Sequence, residues 1–319
     1  MISRIIRHLH EDGVLPSGDA GDYSWFMSAR SGASFVLHDA RDGRPLLFVK
    51  ISDRRPLKTV FERMRLVRAV APDVVPEPLS LITFGEFSAL VVRAYDICPL
   101  KSCPSRTWRA QGGMLRRILE ELVVLHTRTR EGASEFNREF VEEVLEPEIG
   151  YAFQASLTEG LRDALLTHVR GLQRHYGLMI QRVPQHGDMV LGNLALVRGR
   201  ENGLMILDWD DYAEVKLSVL DLMTLIRSYV GFRHAGMFDS RGSSTYVSEL
   251  LQSYCRKMEI NAALAVDLYP ICLLVYARLR ASSGIGGPGA YDRVTSEIEK
   301  FLSGRSTFIL RPGLVPALT

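Results

Sequence analysis

Two short apolar runs close in sequence do most to constrain this chain. Leu194-Ala195-Leu196-Val197 and Leu204-Met205-Ile206-Leu207 each have the length of a buried strand. The stretch from Arg198 to Gly203 between them is polar and contains two glycines. That pattern predicts a hairpin. It would set Asn193, at the mouth of the first strand, beside Asp208, at the end of the second. Just upstream stands His186-Gly187-Asp188-Met189-Val190-Leu191-Gly192, and just downstream Trp209-Asp210.

An acid, a downstream amide and a second acid form the polar set that phosphoryl transfer from a magnesium-nucleotide requires. Asp188 can orient and deprotonate an attacking hydroxyl, while Asn193 and Asp208 offer the hard oxygen ligands that Mg²⁺ prefers. The bland alternative is a hairpin with surface carboxylates and an N-capping Asp. His186 is read as bracing the loop through backbone hydrogen bonds rather than moving protons. Asp210 either binds substrate or is simply solvated.

The order Asp188, Asn193, Asp208 resembles the catalytic loop and metal site of protein kinases, with Gly187 where that loop carries Arg. With Gly there, the motif is similar to that of the aminoglycoside phosphotransferase and choline kinase family. The resemblance runs by order of motifs from Trp25 to Leu225. It implies an α+β, bilobal, protein-kinase-like fold. A small antiparallel-sheet lobe with one helix, residues 1–96, would bind the nucleotide. A larger, mainly helical lobe, residues 97–319, would carry the catalytic loop, metal site and acceptor site. Asp221, in Val219-Leu220-Asp221-Leu222, resembles the family's second Asp-Leu element, whose task is to hold the catalytic loop; a helix N-cap is the compatible alternative.

The first hundred residues fit this order. Trp25-Phe26-Met27 and Ser34-Phe35-Val36-Leu37 flank a small-residue loop containing Ser31 and Gly32. By resemblance that loop covers nucleotide phosphates with its backbone N–H groups, though it is poorer in glycine than the family pattern. A third strand, Pro45 to Ile51, contains Lys50 near its end, where a kinase places the lysine that pairs with α- and β-phosphates. Helical spacing over Thr59 to Val70 predicts a helix. Its one acid, Glu62, would hold Lys50, since a buried ammonium needs a partner. A hairpin around Gly85-Glu86 leads to Val91-Val92-Arg93-Ala94-Tyr95, where the backbone of Val92 and Ala94 would meet an adenine edge.

Beyond Trp108 the pattern is helical, and Leu125-His126 resembles the family's Leu-His element, with His126 structural. Phe136 to Gly150 carries Glu139, Glu142, Glu143, Glu146 and Glu148. Lining a cleft, these would favour a cation; as a solvated face they would say nothing. Arg227, Arg233, His234 and Arg241 would favour an anion instead. Gly284 to Gly289 reads as a connector.

A net charge of +2 gives no global field for nucleic acid. No apolar run reaches membrane-spanning length, and Met1 to Arg7 lacks the apolar core of a secretory signal. The four cysteines show no zinc spacing, and free thiols fit a cytoplasmic protein. The expectation is a small-molecule kinase, using Mg²⁺ and ATP or GTP on a hydroxyl of an aminoglycoside, sugar, amino alcohol or natural product. A nucleotide-binding pseudokinase scaffold, a protein kinase and another group transferase on the same fold are the rivals. The short segment from Asp208 to Asp221 leaves little room for a phosphorylated activation loop.

Overall fold

Alternation along β3 (Pro45–Ser52) decides how the first part of the chain folds. Leu47, Val49 and Ile51 are buried on one face, which leaves Phe48 and Lys50 on the other. The computed structural model describes residues 2–16, 20–28, 34–53, 57–102, 108–200, 203–234, 240–282 and 289–304. By compactness the chain divides into two units, Met1–Pro104 with Gly192–Asp210, and Ser105–Leu191 with Asp211–Thr319.

In the first unit, α1 (Ile2–Glu11) precedes β1 (Tyr23–Ser28), β2 (Ser34–Asp39) and β3. Then come α2 (Leu57–Val70), β4 (Pro78–Phe84) and β5 (Phe87–Arg93). The five strands form an antiparallel sheet in the order β1-β2-β3-β5-β4. Ile5, Ile6 and Leu9 of α1 join Leu47, Val49, Ile51 and Val91 in one core on one sheet face. The sequence reading anticipated one helix here and missed α1. Ile2, Ile5, Ile6 and Leu9 have helical spacing, but the segment is short and flanked by charge. On α2, Val60, Met64 and Val67 are buried, and the helix packs against β4 and β5.

A short β6 (Ile97–Pro99) follows. In the second unit come α3 (Trp108–Thr129), β7 (Gly132–Glu135) and α4 (Arg138–Phe140). A π-helical turn, Val141–Leu145, carries α4 into α5 (Glu146–Ala155), whose first turn contains Pro147. After α6 (Glu159–Arg170), β8 (Met179–Arg182) pairs with β7. Thr158 caps α6 by accepting from the Leu161 amide.

The chain then returns to the first unit as β9 (Leu194–Val197) and β10 (Leu204–Ile206), an antiparallel hairpin. Ile97 pairs with Val197 and Pro99 with Ala195, so β6 is the third strand of this small sheet. That pairing draws the hairpin into the first unit, whereas a boundary at Asp96 would assign it to the second. The second unit resumes with α7 (Leu220–His234), α8 (Ser240–Lys257) and α9 (Ala262–Asp267). It ends with α10 (Tyr269–Ser282) and α11 (Gly289–Leu302). α10 is buried almost throughout and packs against α5, α7 and α11. Among the described residues no helix is long and apolar enough to cross a membrane. Ser31, Gly32 and the stretch from Gly284 to Pro288 lie outside the described residues.

Candidate active site

The free face of the five-stranded sheet lines a cavity of about 610 Å³ within the first unit. Strand register explains its walls. Ser34 and Leu90 flank Lys50 across the sheet, and Val36 and Val92 flank Phe48; all six residues line the cavity. Val60 and Met64 of α2 close one side, and Ala94 and Tyr95 another. Apolar walls around one lysine are the composition expected of a site for a flat heterocycle with a charged tail.

The opposite wall is built from the hairpin. The Leu207 amide donates to the Asn193 carbonyl at 2.7 Å, which sets Asn193 next to Asp208. Gly192, Asn193, Asp208 and Asp210 all line the cavity. Asp208 has φ +59°, a left-handed conformation that few non-glycine residues adopt and Asp tolerates. It turns the chain out of β10 at the carboxylate. Behind it, buried Trp209 donates from its indole to the Ile206 carbonyl at 2.8 Å and anchors the turn.

Lys50 Nζ donates to Asp208 Oδ1 at 3.1 Å and to Asp210 Oδ2. Burial acts to lower the Lys50 pKa, but Asp208 and Asp210 outweigh it and hold the ammonium above the ordinary lysine value. Glu62, expected to hold Lys50, is exposed on α2. The helix turns Val60, Met64 and Val67 inward, and Glu62 falls on the other side. The backbone expectation also changes at Ala94: its N–H donates to the Leu46 carbonyl at 2.9 Å, and that of Arg93 to Glu77 at 2.8 Å. An adenine edge cannot use those two donors.

In the second unit the segment from Gln185 to Asp188 is buried and tied from below. Asp221, fully buried at the start of α7, accepts from the amides of His186 (2.6 Å) and Gly187 (2.9 Å). Its own amide donates to Gln185 Oε1 at 2.9 Å. His126 of α3 lies with Nε2 3.2 Å from Asp221 and Nδ1 2.6 Å from the Tyr254 hydroxyl. That hydroxyl donates to the Ser218 carbonyl at 2.9 Å. Burial acts to raise the Asp221 pKa, but hydrogen bonds and charge from His126 and His186 bring it below the ordinary value. His186 is buried, and its Nδ1 accepts the Asp188 amide hydrogen at 3.3 Å.

Asp188 is itself buried, and its Oδ2 accepts from Arg280 Nη1 of α10 at 2.5 Å. Sequence reasoning missed Arg280, since a basic residue at the end of an apolar helix carries no positional signal. Gly187 has φ +86°, and a Cβ there would sit 3.1 Å from both Asp211 Cβ and Leu279 Cδ1. The glycine that separates this motif from the protein-kinase loop is therefore required by the local backbone.

Among the described residues no three or more His, Cys, Asp or Glu side chains gather as a protein-only metal site. The Asp208 carboxylate and the Asn193 amide in the cavity fit a hard divalent cation shared with phosphate oxygens.

Residues 26–259 match the model of the phosphotransferase enzyme family. No curated protein sequence matches the chain. Among solved structures, a Plasmodium vivax ethanolamine kinase superposes with a TM-score of 0.62 at 9% identity, over 96% of this chain and 90% of that one. An amicoumacin kinase, in complex with AMP-PNP, Ca²⁺ and Ami, gives 0.57 at 14% identity over 93% of each chain. A macrolide 2'-phosphotransferase from Brachybacterium faecium gives 0.54 at 15% identity, over 92% and 97%. These likenesses show a protein-kinase-like fold of the kind used by small-molecule kinases. The chain belongs to the phosphotransferase enzyme family.

Proposed function

We propose that this protein transfers the γ-phosphate of ATP to a hydroxyl of a small, largely uncharged molecule. One observation carries the reading: Lys50, Asn193 and Asp208 line a single apolar-walled cavity, with Lys50 and Asp208 3.1 Å apart. The purine would lie between Val36, Phe48, Val60 and Val92. Its edge contacts would fall to the Ala94 carbonyl and the Tyr95 backbone. Ser31 and Gly32 would cover the phosphates, with Lys50 exchanging Asp208 for phosphate oxygens. Asn193 and Asp208 would hold Mg²⁺, which supplies charge neutralisation of the phosphates. Asp210 would keep Lys50 extended, the task first expected of Glu62.

Asp188 would accept the proton of the attacking hydroxyl. The acceptor oxygen bonds to Pγ as the bond from Pγ to the leaving oxygen breaks, and ADP departs with that electron pair. The protein contributes position and charge stabilisation. His186, Asp221 and His126 would keep the loop rigid.

The pairing of the glutamates supports an acceptor of low charge. Glu142 pairs with Arg138 at 2.6 Å, Glu146 with Arg170 at 2.8 Å and Glu148 with Arg278 at 2.7 Å. With three of its five glutamates already paired to arginines, the segment is a weaker receptor for a polycation than its composition suggests.

The test is nucleotide consumption with Mg²⁺ and ATP or GTP across aminoglycosides, amino alcohols, sugars and nucleosides, repeated with Asp188→Ala. Acceptor-dependent ADP release that falls 10²- to 10⁴-fold in the variant supports the assignment. Equal turnover by both proteins sinks it. Nucleotide binding without turnover on any acceptor points to the scaffold reading.

A further inference from the structure

Helix α10 carries two polar side chains one turn apart, Tyr276 and Arg280. Arg280 donates to Asp188 Oδ2 at 2.5 Å, with the two side chains only 20% and 6% exposed. Burial pushes the Tyr276 phenol up, with the charge of Asp188 adding to it, so the phenol shares this environment. Arg227 of α7 lies over the Tyr276 ring at 5.6 Å and pairs with Glu297 at 2.8 Å. Arg278, between them in sequence, turns to the opposite face and forks onto Glu148 at 2.7 and 2.9 Å. Helix α10 thus directs one arginine to a structural glutamate and the other to the candidate base.

A guanidinium on a buried carboxylate does three things. It favours the ionised form, lowering the pKa by about 1–3 pH units. It limits the rotamers the carboxylate can adopt. Its positive charge cancels the field with which the carboxylate alone would attract a second cation in the same low-dielectric surroundings.

We propose that Arg280 is a positioning residue that fixes Asp188 ionised and in one orientation. Its charge also selects an acceptor that is uncharged or anionic beside the hydroxyl to be phosphorylated. The proposal rests on the reading of Asp188 as the base. It adds to that reading the residue that tunes the base and the charge class of acceptor that results.

The experiment is a ¹³C carboxyl titration of the full chain, with the Asp188 signal identified by its loss in Asp188→Asn. The other titratable groups around Asp188 are Tyr276 on α10, His186 and Asp211 flanking the loop, and Asp221 on α7; all are retained in Arg280→Gln. The Asp188 midpoint should rise in Arg280→Gln by about one pH unit or more. An unmoved midpoint overturns the proposal. Arg280→Lys, which keeps the charge without the planar guanidinium, should shift it less, and it carries the test where the Gln variant does not fold. The second arm compares kcat/KM for glycerol, glycerate, choline and an aminoglycoside in wild type and Arg280→Gln. Wild type should prefer glycerol or glycerate, and the preference should shift towards the cations in the variant. A wild type that prefers the aminoglycoside, with ratios unchanged in the variant, overturns the selection. The two readings fail separately: an Asp188→Asn protein that turns over at the wild-type rate removes the base assignment and leaves the titration result standing.

Discussion

Asp221 Oδ1 accepts the amide hydrogen of Gly187 at 2.9 Å, and Gly187 holds φ at +86°. The bond and the dihedral belong together. The left-handed residue turns two successive amides, those of His186 and Gly187, onto one buried carboxylate.

Gly187→Ala should therefore destabilise the fold and disable the site together. The left-handed conformation alone costs about 1–2 kcal/mol for a residue with a Cβ. The new Cβ would also stand 3.1 Å from Asp211 Cβ and Leu279 Cδ1, closer than ordinary packing allows. Thermal unfolding should fall by several degrees, with kcat reduced in the protein that remains folded at assay temperature. Unchanged melting would show that the loop relaxes around the methyl group. An arginine at this position should be worse still, which gives a local reason why the protein-kinase residue does not fit here.

Much of the site was legible because its parts are close in sequence. The hairpin from Leu194 to Ile206 spans few residues, and its two apolar runs announce it. The partner of Lys50 was not legible. Glu62 is twelve residues away on an amphipathic helix, whereas Asp208 and Asp210 are 158 and 160 residues away. Sequence spacing favours the near acid; strand pairing delivers the far ones. Arg280 was hidden for the same reason, 92 residues from Asp188 in a chain rich in arginine. The short strands β6, β7 and β8 carry too few residues to show a period.

The exchange of partners at Lys50 separates two variants. Glu62→Gln should leave the KM for Mg·ATP within about twofold, because an exposed side chain without a Lys50 bond contributes little. Asp210→Asn should raise that KM by an order of magnitude or so, through loss of the carboxylate that extends Lys50. Steady-state kinetics at saturating acceptor decides between them. The reverse ranking would return the role to Glu62.

Metal dependence should follow Asn193 and Asp208. In calorimetric titration, Asp208→Asn should bind ATP more weakly than wild type in Mg²⁺ and no differently from it in excess chelator. Asn193→Ala should act the same way to a smaller degree, because a neutral amide gives up less charge at the metal. Equal loss of affinity in Asp208→Asn with and without metal would mean that the carboxylate serves Lys50 rather than a cation.

Acid stability should depend on a carboxylate far from this chemistry in sequence. Asp267, at the end of α9, accepts from His175 Nε2 at 2.7 Å and Arg174 at 2.6 Å, and its carbonyl accepts from His168 at 2.8 Å. Burial acts to raise its pKa, but the bonds to His175 and Arg174 prevail and hold it below the ordinary carboxyl value. The sign follows from linkage. The folded state binds this proton less readily than the unfolded chain, so the stabilisation is complete above about pH 4. It is lost as pH falls through the lower folded value. Asp267→Asn should cost about 1–3 kcal/mol at neutral pH, by leaving buried His175 and the Arg174 guanidinium short of their charged acceptor. Between about pH 4 and pH 2 the variant's stability should fall less steeply than that of wild type, since one proton-linked group has been removed. Urea denaturation across that range measures both slopes. Parallel slopes would show that Asp267 titrates alike in the folded and unfolded chains and that its neighbours confer no ionic stabilisation.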